Sequence, residues 1–272
     1  MRDIFVEEIK RITGLKRFRI MCLLLLAGFI AWVIYTKVTF WNDFMYLVRV
    51  QNYMLYFFNL GSFITVMLGL HRRKFTSNSI VLANGHGGSR AKTVLGKWLT
   101  GICLIFIMYA VLAVFVILMS LILGAHSSGD QIGVMMLSIL MNAISVAGSY
   151  GLYLMFQFLT AFPAVSILLA TISIEILPAF IDRYGFDLFP ELVIINNLLM
   201  YGRTRAGFSG ILLGMPRFEF LLFFLIYSAV GVLFSMLIFK LKREKKPRKS
   251  RKKDPEKEQT PQEDISISTP AV

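Results

Sequence analysis

The sequence predicts an all-α integral membrane protein with six transmembrane helices, and three observations support this. Hydrophobic side chains make up 56% of the 272 residues and charged side chains only 17%, whereas soluble domains have about 45–50% apolar residues. Six apolar stretches are each long enough to cross about 30 Å of hydrocarbon, which takes about 17 residues or more. Lys and Arg are concentrated in alternate connecting segments, as expected for cytoplasmic loops.

The N-terminal segment, residues 1–19, predicts an amphipathic helix. Phe5, Ile9 and Ile12 have the spacing of one helical face, and basic residues surround them. We expect this helix to lie flat in the membrane interface.

The transmembrane domain covers residues 20–240. Its six predicted spans lie at roughly 20–37, 52–70, 99–124, 132–159, 163–181 and 218–239. Pro163 is suited to the first turn of the fifth span. Six spans place both termini on the same side of the membrane.

The distribution of Lys and Arg predicts which side that is. The N-terminal segment holds six, the loop 71–98 six and the segment 240–257 eleven, so these three regions hold 23 of the 29 basic residues. The positive-inside rule therefore predicts that the loop and both termini are cytoplasmic.

Two further regions lie outside the simple span-and-turn pattern. Residues 182–217 contain two apolar pieces too short to span, 192–200 and 211–215, and Pro190 is placed to begin the first. We expect a re-entrant or interfacial helical segment on the outer side, between spans 5 and 6. Residues 241–272 are charged, contain Pro and have few large apolar side chains, so they predict a disordered basic cytoplasmic tail.

The loop 71–98 is the longest basic interruption between two spans. It begins with Arg72, Arg73 and Lys74, becomes glycine-rich at 85–88, and ends with Ser89 as a possible N-cap for a basic helix start. This pattern predicts a small docking element beneath the membrane, through which another protein moves the spans.

No catalytic residue and no metal site is predicted. The segment 85–93, GHGGSRAKT, superficially suggests a phosphate-binding loop, but Ala91 stands where that motif requires Gly before its Lys. Cys22 and Cys103 lie in two apolar runs, which predicts neither a disulfide framework nor a metal site. The basic tail has no folded reading surface beside it, so we expect a topological anchor or contact with anionic lipid, and no nucleic acid.

Three intramembrane polar residues are candidates for a translocation pathway. Glu175 is the one carboxylate well inside a predicted span, where a charged group is costly enough to suggest function. The alternative is that Glu175 pairs with polar groups of neighbouring helices and only fixes packing. For Asn59 and Asn142 we favour hydrogen bonds between helices over contact with cargo.

The segment 75–98, FTSNSIVLANGHGGSRAKTVLGKW, resembles the coupling-helix region of the permease subunits of ABC-2 type transporters. The six spans, the interfacial helix and the long outer segment are also similar to that family. The positions that match its pattern are Thr76 or Ser79, Ile80, Leu82, Ser89, Arg90, Leu95, Gly96 and Lys97.

The resemblance implies a function. A separate ABC ATPase subunit, which holds the ATP and Mg²⁺, would dock on this chain, and the chain itself would bind no cofactor and catalyse no reaction. The implied docking residues are Phe75, Thr76, Ser79, Ile80, Leu82, Ser89, Arg90 and Lys92. A second permease, identical or homologous, would complete the pathway in a bacterial cytoplasmic membrane. The expected cargo is an amphipathic or hydrophobic peptide, antibiotic or similar compound that is exported.

The alternative function is a proton-coupled secondary carrier that depends on Glu175. Intramembrane hydrolysis is not favoured, because the sequence has neither a His–Glu metal pattern nor a nucleophile with a matching base.

Overall fold

The computed structural model describes residues 2–39, 50–70, 90–124, 129–160, 162–177, 180 and 219–241. Within these residues the backbone is helical apart from short connections, and none of them lies in a β-strand. The prediction of an all-helical protein is confirmed for this part of the chain.

Seven helices are numbered here in chain order. Their bounds are α1 Arg2–Thr13, α2 Lys16–Thr39, α3 Asn59–Leu70, α4 Arg90–Leu123, α5 Gly129–Thr160, α6 Pro163–Thr171 and α7 Glu219–Leu241. Two wide π-helical turns adjoin them: Met54–Phe58 precedes α3 within a continuous helical run over 50–70, and Ile172–Ile176 follows α6. Pro163 occupies the first turn of α6, as the sequence predicts.

Four helical segments are long and apolar enough to cross a membrane: Lys16–Val38, Arg90–Leu123, Ile132–Thr160 and Phe224–Leu241. They coincide with four of the six predicted spans. The helical runs 50–70 and 163–177 occupy the positions of the other two. The chain is therefore an all-helical membrane protein over its described residues.

The N-terminal segment differs from the single helix expected over 1–19. α1 ends at Thr13, and α2 begins at Lys16. The Gly14 N–H donates to the Lys10 carbonyl at 3.1 Å, and the Arg19 guanidinium donates to the Gly14 carbonyl at 3.1 Å. Because Arg19 satisfies a carbonyl at the break, the chain can turn there and residues 16–19 become the first turn of α2.

α1 packs on the helix bundle through its apolar face. Ile12 is fully buried, and a Cβ added at Gly69 would lie 2.7 Å from Ile12 Cγ2. Gly69 is near the end of α3, so its missing side chain makes room for α1. Ile12, on the face expected to lie on lipid, therefore contacts protein.

Contacts between helix termini define two ends of the bundle. At one end α1 lies beside the end of α3 and the start of α4, and the Arg90 guanidinium reaches the end of α7. At the other end Lys37 Nζ, near the end of α2, donates to the Leu123 carbonyl of α4 at 3.2 Å. Consecutive long helices thus run in alternate directions, as in a multi-span membrane protein. We call the first end the α1 end.

α5 and α7 approach most closely at two glycines. A Cβ built on Gly231 would lie 2.2 Å from the Gly151 carbonyl carbon, and one on Gly151 would lie 2.8 Å from the Ser228 Cα. Small residues let helix backbones approach in a membrane, where packing rather than the hydrophobic effect joins the helices. The C-terminal half of α5 is therefore packed directly against α7.

Candidate functional site

A buried ion pair joins α1 to α4 at the α1 end. Lys97 Nζ lies 2.5 Å from Glu8 Oε1, and both side chains are only 4% exposed. Arg11, one turn further along α1, also pairs with Glu8. A buried charge is costly unless it is paired, so Glu8 fixes the position of α1 on the second turn of α4.

Tyr150 supports this part of α4 from the side of α5. Its hydroxyl donates to the Lys97 carbonyl at 3.1 Å, and its ring lies where Gly101 has no side chain. A Cβ on Gly101 would fall 2.2 Å from Tyr150 Cζ. The ion pair and the tyrosine thus bind the same two turns of α4 to α1 and α5.

Arg90 joins the first residue of α4 to the end of α7. Its guanidinium donates to the carbonyls of Phe239 and Lys240 at 3.1 and 3.2 Å, and it lies over the Phe239 ring at 5.6 Å. The last carbonyls of a helix have no partner within the helix and carry a partial negative charge, which a guanidinium satisfies. Arg90, predicted as a docking residue, therefore also links two helices.

The basal cluster, defined as Glu8, Arg11, Arg90, Lys97 and Tyr150, thus connects four helices. α4 is the common member, and its first residue directly follows residues 71–89 of the predicted docking loop 71–98; these residues are called the docking segment below.

A second polar group lies within the membrane-spanning helices and includes two predicted site residues. Asn59 Nδ2 donates to Asn142 Oδ1 at 2.8 Å, and the Tyr109 hydroxyl donates to Asn59 Oδ1 at 2.5 Å. Asn142 Nδ2 in turn donates to the Ser138 carbonyl at 2.8 Å. Asn59 and Asn142 are 7% and 2% exposed, so this network is internal.

The wide turn before α3 explains how Gln51 joins this network. The Ser138 hydroxyl donates to Gln51 Oε1, and Asn59 is eight residues further along. In a regular α-helix, residues eight apart differ by about 80° in direction. The π-turn at Met54–Phe58 takes up one extra residue, which brings Gln51 and Asn59 close to the same face. Both therefore meet α5, at Ser138 and Asn142.

Glu175 lies in the second π-helical segment, Ile172–Ile176, and its side chain is outside the described structure. Such wide turns are rare and occur frequently at functional sites. The sequence singled out Glu175 for its charge, and the backbone adds this independent feature.

Of the remaining predicted docking residues, the structure describes only Lys92, which is exposed on the first turn of α4. The others lie outside the described residues: Phe75, Thr76, Ser79, Ile80, Leu82 and Ser89. The outer segment 182–217 and the tail from 242 onward also lie outside. Among the described residues, no group of three or more His, Cys, Asp or Glu is placed to bind a metal ion.

Sequence reasoning missed Glu8 and Tyr109. Glu8 had a detectable signal, because it lies between Phe5 and Ile12 on the apolar face of α1, where a carboxylate needs a buried partner. Lys97 was named as a position that matches the family pattern and as one of the loop cations, but its ion pair was not predicted. Tyr109 lies near the middle of the predicted span 99–124, and the sequence analysis gave it no role.

Comparison with known proteins found no match for this chain among family models, curated proteins or solved structures.

Proposed function

We propose that this chain is the membrane-spanning permease subunit of an ABC transporter of the ABC-2 type. The observation that supports this best is the unbroken course of α4 from Arg90, next to the proposed docking segment, to Leu123 at the opposite end of the bundle. The basal cluster ties the start of that helix to α1, α5 and α7. A push on the docking segment would therefore reach four helices at once.

In this proposal both termini and the segment 71–89 are cytoplasmic, and the chain crosses the membrane six times. The exposed basic residues at the α1 end agree with a cytoplasmic location under the positive-inside rule; they include Lys10, Lys16, Arg17, Arg19, Lys92 and Lys240. A partner ATPase would bind one arrangement of the docking segment more tightly when it holds ATP, and the helices would follow. The cargo class remains an amphipathic or hydrophobic peptide, antibiotic or similar compound, exported with the help of a second permease.

The test is recovery of ATPase activity with the tagged chain, purified in mild detergent from its own host. We expect the wild-type chain to bring down Mg²⁺-dependent ATP hydrolysis and Leu82→Asp to lose most of it, because a carboxylate would be buried in an apolar contact. The control is Val38→Asp, since Val38 is 82% exposed at the end of α2 that lies opposite the α1 end. If Leu82→Asp recovers as much activity as Val38→Asp and wild type, the docking proposal fails.

The π-helical turn around Glu175 supports a second candidate, a proton-coupled carrier. Ionisable groups inside membrane helices mark proton pathways in many carriers. Transport by vesicles supplied with ATP, or with a proton gradient alone, separates the two functions. Loss of gradient-driven transport in Glu175→Gln, with no response to ATP in wild type, would favour the carrier.

A further inference from the structure

One face of α5 is polar along most of its length. The residues on it are Ser138, Asn142, Ser145, Ser149, Tyr153 and Gln157, spaced by three or four positions, so they lie on one side of the helix. All six are at most 5% exposed. The stripe rises about 28 Å at about 1.5 Å per residue, close to the hydrocarbon thickness of about 30 Å.

Polar groups of the neighbouring helices face this stripe. Gln51 and Asn59 meet it at Ser138 and Asn142, and Tyr109 of α4 bonds to Asn59. We call the stripe with these three residues the polar seam. It lies inside one chain, between α3, α4 and α5.

Gln51 and Tyr153 each carry a seam group that the described residues do not satisfy. Gln51 Nε2 and the Tyr153 hydroxyl are buried, and no hydrogen-bond partner for either lies within that part of the chain. Gln51 and Tyr153 are 3% and 0% exposed. Buried polar groups nearly always have a partner, which is ordered water where protein supplies none. Gln51 Nε2 only donates, whereas the Tyr153 hydroxyl donates or accepts, so water can pair with both.

The seam is uncharged over its length. Its side chains are hydroxyls and amides, and the nearest described ion pair, Glu8 with Lys97, lies at the α1 end beside Tyr150. Tyr150 and Tyr153 have ring centroids 6.2 Å apart, so the seam continues to that end. Such a lining suits water and neutral hydrogen-bonding groups and gives an ion no counter-charge.

We propose that the polar seam is a water-binding path within a single chain that admits water to the membrane interior. The pathway implied by the family resemblance lies between two permease copies, whereas this one needs only one copy. The inference depends on the seam and not on the partner ATPase, so it stands or fails separately from the proposed function.

The test is the accessibility of single cysteines in native membranes. The background is the full chain with Cys22 and Cys103 changed to alanine, since both thiols are free and half-buried. Ser145→Cys and Ser149→Cys place a thiol of nearly the same size near the middle of the seam. Ag⁺ is the probe, because it is small, enters only with water and reacts with thiolate. Thiols left unmodified are counted with a fluorescent maleimide after denaturation.

Two matched positions control for depth and burial. Ala147 is fully buried on the opposite side of α5 between the two serines, and Leu140 is 47% exposed on the same helix. We expect Ag⁺ to modify the cysteines at 145 and 149 about ten-fold or more faster than those at 147 and 140, because only a thiol in contact with water ionises readily. Equal rates at 145, 147 and 149, whether all slow or all fast, would overturn the proposal.

Tyr153→Phe provides an independent measurement. If its hydroxyl binds water, its removal should slow Ag⁺ modification at Ser149→Cys and should not raise the melting temperature of the protein. If the hydroxyl is buried dry and unpaired, its removal should raise the melting temperature and leave Ag⁺ modification unchanged, and this result would overturn the proposal.

Discussion

Glu8 holds two cations at once, because its carboxylate pairs with Lys97 of α4 and with Arg11 of α1. The Lys97 side chain is 4% exposed, so its ammonium group has lost almost all its hydration. Removing the Glu8 carboxylate breaks two ion pairs, whereas removing the Lys97 ammonium breaks one.

We predict that Glu8→Gln destabilises the protein more than Lys97→Met does. Breaking a buried ion pair costs up to about 3–5 kcal/mol, and Glu8→Gln should move toward that range because it breaks two pairs. Lys97→Met should cost less, and the double variant should cost less than the two single variants combined, because both remove the same Glu8–Lys97 pair. The measurement is thermal unfolding in detergent of the wild type, the two single variants and the double variant.

Glu7→Gln is the control for these variants, since Glu7 is exposed on the adjacent position of α1. Substitutions at the surface usually change stability by less than about 0.5 kcal/mol. If Glu8→Gln and Glu7→Gln have the same unfolding temperature, the ion pair does not hold α1 in place.

The contact between α5 and α7 depends on the absence of side chains at Gly151 and Gly231. Atoms of the backbone of one helix occupy the position that a Cβ would take on the other. Because backbone cannot move aside as a flexible side chain does, any larger residue must push the helices apart.

We predict that Gly231→Leu separates α7 from α5 and lowers stability by about 1–3 kcal/mol or more, the usual cost of overpacking. Gly133→Ala is the matched control on α5, because no atom lies within 4 Å of its added Cβ. Alanine should there leave stability unchanged or raise it by up to about 1 kcal/mol through its helix propensity. A lower unfolding temperature for Gly133→Ala than for Gly231→Leu would contradict the packing described here.

At the level of elements, hydrophobicity predicted the positions of the helices but not all of their ends. Hydrophobicity alone placed the start of the third span at 99, whereas α4 starts nine residues earlier at Arg90, directly after Ser89, the N-cap that the sequence predicted. The break at Gly14 and the π-turn before Asn59 depend on contacts between distant residues. A local pattern contains no information about those contacts.

The candidate site, too, was only partly predictable from the sequence. Asn59 and Asn142 were identifiable because amides are rare inside apolar spans, and the sequence could not specify that they bond to each other. The proposed docking segment was inferred from its basic and glycine-rich composition. The contacts of Glu8, Lys97 and Tyr109 were not predicted, since their partners lie 89 and 50 positions away in the chain.

The proposed orientation of the whole molecule depends on the α1 end, where most of the described basic residues lie. We predict that a cysteine at Asn84, next to that end in the chain, is not labelled in intact cells by a membrane-impermeant maleimide. A cysteine at Ser127, in the connection between α4 and α5, should be labelled, because Leu123 lies at the opposite end of the bundle. Both should be labelled after permeabilisation. The reverse pattern in intact cells would place the docking segment outside and exclude an ATP-driven partner there.

The pairing of Glu8 with Lys97 also has a consequence for how the protein is made. The ribosome completes α1 early, but the lysine that holds it is added 89 residues later. Until Lys97 has been added, the carboxylate of Glu8 lies in water or in the headgroup layer, with Arg11 beside it. Ile12 of α1 can already meet Gly69 of α3, which is made earlier, but the ion pair forms only after the start of α4 has been synthesised. An N-terminal deletion that removes α1 would deprive Lys97 of that carboxylate at the moment of assembly.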